Sequence, residues 1–266
     1  MAKQLGDFLA EETPKKPHII GRGILPKQGK LVLGGAPKAN KSFTAIAAAL
    51  SLTRGEPLFR AFYKDGSPVF PVTRPWTVLY LDQELGEDGF RQRLVPMVED
   101  KDIINPFFLH TKDTAMQLDT PEGVTLIEKE IEQVQPEVLI LDPLAKFHSA
   151  DENSAQEMGR VLKQGDAWIE KYGLSIVYIH HTGLAAYDPT NGRRGGARLR
   201  GSSAVFADVD TVVEVLRKSA ADDKEPTLQL GFELRQGEPI RNQYIKRLPT
   251  GQIVYVGENQ WTKENQ

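Results

Sequence analysis

The chain reads as an α/β protein, with a mostly parallel central sheet, helices on both faces and an antiparallel extension at its carboxyl end. Three observations carry that reading. The apolar runs Lys30–Leu33, Thr77–Asp82, Val138–Asp142 and Ser175–Ile179 have strand length and the unbroken hydrophobicity of strands buried on both faces. Apolar residues recur at helical spacing between them, the alternation that builds a parallel sheet. After residue 210 that spacing stops, and Thr211–Leu216, Thr227–Leu234, Asn242–Leu248 and Gln252–Val256 follow as strands joined by turns.

Composition narrows the class. The 266 residues are 40% hydrophobic, and no run approaches the ~18 consecutive apolar residues of a membrane span. No membrane partner is expected. The absence of cysteine excludes disulfides, thiol chemistry and Cys-based zinc sites. A net charge of −3 argues against a globally basic nucleic-acid coat, so any DNA contact has to come from a local patch. The opening Met-Ala-Lys-Gln-Leu-Gly-Asp lacks the basic-then-apolar build of a signal peptide, and cytoplasmic residence is expected.

Residues 1–17 hold Leu5, Phe8 and Leu9 and then a charged, Pro-rich tether, which reads as a frayed terminus or as an arm that packs on a neighbouring subunit. One domain is expected over 18–258, with a frayed tail at 259–266. The first core strand leads into Gly35-Ala36-Pro37-Lys38-Ala39-Asn40-Lys41-Ser42 and a helix carrying Phe43, Ile46, Ala47 and Leu50. Gly35, Lys41 and Ser42 keep the spacing of a P-loop, whose backbone N–H groups and helix N-terminus cradle phosphate while the Ser hydroxyl ligates Mg²⁺. Asn40 stands where a second glycine is usual. Asn tolerates positive φ well, so Asn40→Gly is expected to preserve or improve nucleotide binding.

Between Arg54-Gly55-Glu56-Pro57 and Arg74-Pro75 the chain is loop-rich, and Phe59, Phe62, Tyr63 and Phe70 are expected to pin it to the core. Thr77–Asp82 ends in Gln83-Glu84. An acid at the carboxyl end of a parallel strand faces the ligand crevice, and Glu84 there can polarise a water against a γ-phosphate. A helix with Phe90, Leu94, Met97 and Val98 follows, then a strand at Phe107–His110. Thr120-Pro121-Glu122 opens the next helix with an N-cap, a proline at the first helical position and an acid in the first turn. Val138–Asp142 then resembles a Walker B strand, whose terminal carboxylate stands beside the Mg²⁺ shell.

Met158, Val161, Leu162 and Trp168 mark a helix before Ser175–Ile179, which ends in His180-His181. Adjacent strand residues point to opposite faces, so the pair cannot both ligate one metal, and one of them is expected beside the γ-phosphate. Thr182–Gly201 holds five glycines and Arg193, Arg194, Arg198 and Arg200 with a single acid, Asp188, and no hydrophobic periodicity. A loop so long is functional or disordered, and being locally basic it is the patch expected if DNA is the partner. Ser202-Ser203 can cap a short helix to Asp208.

Taken in order, these elements resemble a RecA-like ATPase core, and more closely the RepA-type hexameric replicative helicases of plasmids and phages. The resemblance rests on Leu141-Asp142-Pro143-Leu144-Ala145-Lys146-Phe147-His148 with Glu152-Asn153, on Ser175–His181, and on Arg200-Gly201-Ser202-Ser203, and its order spans residues 30–247. It implies ATP and Mg²⁺ as cofactors, with the loop from Gly35 to Ser42 and Phe43 around the phosphates, and Ser42 and Asp142 at the metal. Glu84 is then the catalytic base, a histidine of the pair the γ-phosphate sensor, and Arg93 the arginine beside the adenine. Such motors complete each site with a cation from the next subunit, for which Arg235 is preferred and Arg200 is the alternative.

The function so implied is a ring-forming, ATP-driven helicase on single-stranded DNA, working with a separate primase or initiator. A filament-forming recombinase or mediator shares the core. An ATP-binding regulator without DNA contact is the third reading.

Overall fold

The computed structural model describes residues 3–10, 17–98, 107–181 and 203–258. In chain order these form α1 (Leu5–Ala10), β1 (His18–Ile20), β2 (Leu25–Pro26), β3 (Lys30–Gly35), α2 (Lys41–Arg54), β4 (Val78–Asp82), α3 (Gly86–Leu94), β5 (Phe107–Thr111), α4 (Pro121–Val134), β6 (Val138–Asp142), α5 (Ala155–Tyr172), β7 (Ser175–His181) and α6 (Ser203–Asp208). Strands β8 (Thr211–Arg217), β9 (Thr227–Leu234), β10 (Gln243–Arg247) and β11 (Ile253–Gly257) complete the chain. The main sheet has nine strands in the order β11-β10-β9-β8-β3-β7-β6-β4-β5. From β8 to β5 every pairing is parallel, and from β8 to β11 every pairing is antiparallel. The expected class is therefore present, with β8 in both halves.

Alternation along the strands splits the core in two. Leu31, Leu33, Tyr80 and Ile140 join Ile46 and Leu50 of α2 and Phe90 of α3 on one face. Val32, Leu79, Leu81 and Leu141 join Ile127 and Ile131 of α4 and Val161 and Trp168 of α5 on the other. Helices thus cover both faces, and burying a side chain of this size is worth about 1.5–3 kcal/mol. The caps follow the sequence. Thr120 accepts Gly123 N–H at the start of α4, and Ser154 accepts Glu157 N–H at the start of α5.

Two local expectations need correction, and one element is new. The helix through Val98 ends as α-helix at Leu94, because Pro96 removes an N–H and the chain tightens into a 3₁₀ turn at Val95–Met97. The stretch before β3 holds a two-stranded antiparallel sheet, β1 with β2, that no sequence signal had marked. Phe59 and Phe70 do pin the loop, Phe70 meeting Phe59, Phe232 and Tyr255, but Phe62 is exposed. On α1, Leu5 and Leu9 are each 72% exposed.

Candidate active site

Strands β3, β7, β6 and β4 stand side by side and parallel, so their carboxyl ends open on one crevice. The residues singled out from sequence stand at the ends of β6 and β7 and on the turns that follow β3 and β4. The turn after β3 runs through Asn40 in the left-handed conformation, φ 67°, into α2. This explains how an asparagine holds a position where glycine is usual. Lys41 is buried, and its Nζ donates to Gly35 O at 2.9 Å and to Ala36 O at 3.0 Å. The same Nζ lies 3.1 Å from His181 Nδ1. Burial pulls the Lys41 ammonium down to about 8, against the opposing pull of Asp142 and Glu84.

His181 is held below its ordinary pKa, first by burial and second by the Lys41 charge. A neutral ring results, and Nδ1 facing an ammonium has to be its acceptor nitrogen. His180, on the opposite face of β7, is fully buried. The structure therefore separates the pair: His181 enters the crevice beside Lys41, and His180 enters the core.

Asp142 is buried at the end of β6. Its Oδ2 accepts the Tyr80 hydroxyl at 2.5 Å, while Oδ1 has no partner among the described residues. Burial raises this carboxyl to about 6, opposed by the nearby hydroxyls of Tyr80 and Ser42. An oxygen pair of this kind, one carboxylate and one neighbouring hydroxyl, suits a hard cation such as Mg²⁺. Glu84 is exposed at the rim, two residues beyond the β4 terminus.

These residues line one cleft of about 330 Å³, which also takes in Lys38, Ala39, Asn40, Ser42 and Phe43 of the loop, and Arg93. Arg93 Cζ lies 4.7 Å from the Phe43 ring centre, and Arg247 Cζ lies 4.8 Å from it. The turn between β10 and β11 closes on the same ring: a Cβ at Gly251, φ +89°, would come within 2.9 Å of Phe43. Arg217 and Arg247 were not singled out from sequence, yet both line the cleft. Arg217 reaches the cleft because β8 pairs in parallel with β3, where the sequence reads only as an antiparallel extension. Arg247 had no signal, since its place depends on how the antiparallel strands fold back.

Arg235 is elsewhere. Its strand runs antiparallel to β8, so Arg235 lies at the amino end of the parallel strands, its N–H on Asp210 O and its guanidinium on Ala207 O. It is exposed there, at the far end of the sheet from its own cleft. Arg193, Arg194, Arg198 and Arg200 lie outside the described residues, as does the tail 259–266. Among the described residues no helix is long and apolar enough to cross a membrane.

A family profile described as an AAA domain matches residues 1–186. The chain belongs to the AAA domain family. Two solved structures share the fold of this AAA domain. One is an ATPase domain, which aligns with TM-score 0.61 at 11% identity, over 86% of this chain and 85% of that one. The other, a DnaB-like replicative helicase in a structure that also concerns its interactions with primase, aligns with TM-score 0.61 at 10% identity. That match covers 86% of this chain but spans 58% of the helicase. The fold is therefore RecA-like, the one on which replicative-helicase ATPase domains are built. No curated protein matches the sequence of this AAA domain.

Proposed function

We propose that this chain is the motor subunit of a ring-forming replicative DNA helicase, hydrolysing ATP with Mg²⁺ to translocate on single-stranded DNA. The observation that carries the proposal is the division of polar residues between the two ends of one sheet. Phosphate-binding groups gather at the carboxyl ends of the parallel strands, and Arg235 stands free of them at the other end. A head-to-tail neighbour can bring its Arg235 to this cleft, whereas the same chain cannot. Such a heterologous contact closes into a ring when the rotation permits.

In this reading the loop N–H groups and Lys41 bind the triphosphate. Mg²⁺, held by Ser42 and Asp142, would neutralise phosphate charge as it shifts during transfer. Glu84 orients a water and takes its proton, a role that needs a carboxylate at the rim where water enters. His181 already touches Lys41, so displacement of that ammonium by a γ-phosphate is felt at once by β7 and by the basic stretch 182–201 that follows it. Arg93 flanks the base through Phe43, and Arg235 of a neighbour stabilises the transferring charge. Arg193, Arg194 and Arg198 would grip DNA phosphates. A primase or initiator would be a separate protein.

Negative-stain imaging with ATP and single-stranded DNA tests the proposal. Closed rings are the expected result. Open filaments would favour a recombinase or mediator, and monomers under all conditions would favour an ATP-binding regulator.

A further inference from the structure

The Asn40 side chain makes none of the bonds its position offers. Asn is favoured at a helix N-cap because its side-chain oxygen accepts an N–H of the first turn. Here Asn40 precedes α2 without any side-chain cap bond, and its left-handed backbone, φ 67° and ψ 25°, departs from the extended form that capping uses. Its carbonyl is already engaged, accepting Thr44 N–H and Thr44 Oγ1–H at 3.0 Å each. That leaves the amide. Nδ2 is buried and has no acceptor among the described residues, while the residue lines the phosphate cleft. A buried donor without an acceptor carries a desolvation cost, and a glycine would avoid both that cost and the left-handed strain.

The cleft shows what would satisfy such a donor. Around the loop it offers further donors, Lys38, Lys41 and Ser42, and beyond them Arg93, Arg217 and Arg247. Its carboxylates, Glu84 and Asp142, stand at the ends of other strands. A ligand made only of acceptors fits this lining, and a polyphosphate is one. Resting on the nucleotide reading above, we infer that the Asn40 amide donates to a phosphate oxygen of the bound nucleoside triphosphate. This neutral side-chain donor joins the backbone N–H groups and Lys41 in holding the anion. The expectation from backbone conformation alone is thereby reversed: glycine at this position relaxes the loop but loses a ligand contact.

The test is a titration of the full chain with a fluorescent ATP analogue and Mg²⁺, alongside thermal unfolding without nucleotide. Asn40→Gly is expected to bind about tenfold more weakly, as fits one lost hydrogen bond to a charged group, while its Tm without nucleotide is unchanged or higher. A loss smaller than about threefold, or any gain, overturns the inference. Asn40→Asp, which keeps the shape and the tolerance of positive φ, replaces the donor by a like charge. It should bind more weakly still, and wild-type affinity in it would equally overturn the inference should the glycine variant not fold. Failure of the wild type itself to bind the analogue would instead remove the nucleotide reading.

Discussion

Asp82 and Asp142 end neighbouring parallel strands, face each other in register and are both buried. Their surroundings differ in one respect. Asp82 spends its oxygens on backbone: it accepts the N–H groups of Leu85 and Gly86 at 3.0 Å and 2.9 Å, and more weakly that of Glu84 at 3.4 Å. It thereby fixes the turn that carries Glu84 and starts α3, although burial still raises its pKa. Asp142 accepts only Tyr80 through Oδ2 and keeps Oδ1 without a partner among the described residues. Burial at a strand end does not distinguish a structural acid from a reactive one; unspent hydrogen-bonding capacity does.

The widest separation between the two acids should appear in turnover. Asp142→Asn is expected to lower kcat by about 10²–10³-fold, because it removes the charge proposed to hold Mg²⁺. Asp82→Asn should cost less than about tenfold in kcat but lower stability by about 1–3 kcal/mol, through weakened bonds to the turn. Steady-state ATPase and denaturant unfolding of both variants check this. If Asp82→Asn loses turnover and keeps its stability, the contrast drawn here is wrong.

Glu84→Gln sharpens the comparison, since Glu84 stands on the turn that Asp82 builds. Nucleotide binding should survive while kcat falls about 10²-fold, because only the proton acceptor is removed. Measured kcat at the wild-type level would deny Glu84 its role.

A smaller effect concerns pH. The folded-state pKa of Asp142 is raised from an ordinary carboxylate value to about 6, so the native state holds the proton more tightly than the unfolded chain does. Its contribution is fully present below the ordinary carboxylate range and is lost as pH rises through about 6, by at most about 3 kcal/mol. In EDTA, the wild type should lose stability across that window and Asp142→Asn should lose less. Parallel curves for the two proteins would contradict the assignment.

The least effect is expected from Tyr80→Phe, which removes the one hydroxyl that β4 gives to Asp142. Stability should fall by about 1 kcal/mol and the Asp142 carboxyl should titrate higher, moving the acid limb of activity upward. An unmoved limb would mean that Ser42 alone sets that charge.

The parallel half of the fold was legible because each strand is a continuous apolar run whose carboxyl end opens on the crevice. Asp142 follows from that rule, Glu84 from the turn just past a strand end and Lys41 from the spacing of the loop after β3, whereas only the structure shows that His181 and not His180 enters the cleft. What escaped depends on information no local pattern carries. Tyr80 reads in sequence as one more apolar strand residue, and its hydroxyl matters only through the register that brings it to Asp142. Arg217 and Arg247 meet at the cleft because β8 pairs with β3 and because β10 and β11 fold back over Phe43. Beside these, the β1–β2 pair was missed for its brevity, and Pro96 was a visible stop signal passed over within a helical pattern.

Strand β8 pairs in parallel with β3 on one edge and in antiparallel with β9 on the other, with Gly34 opposite Glu214 and Thr211 opposite Leu234. It therefore works as a ruler. Its seven residues set roughly 20 Å between the level of the phosphate loop and the level of Arg235, a span held by backbone ladders rather than by side chains. In the proposed assembly the pitch from one cleft to the next is written in the length of that single strand. Lengthening β8 and β9 by two residues each would shift Arg235 by about 7 Å and leave every cleft intact but unserved.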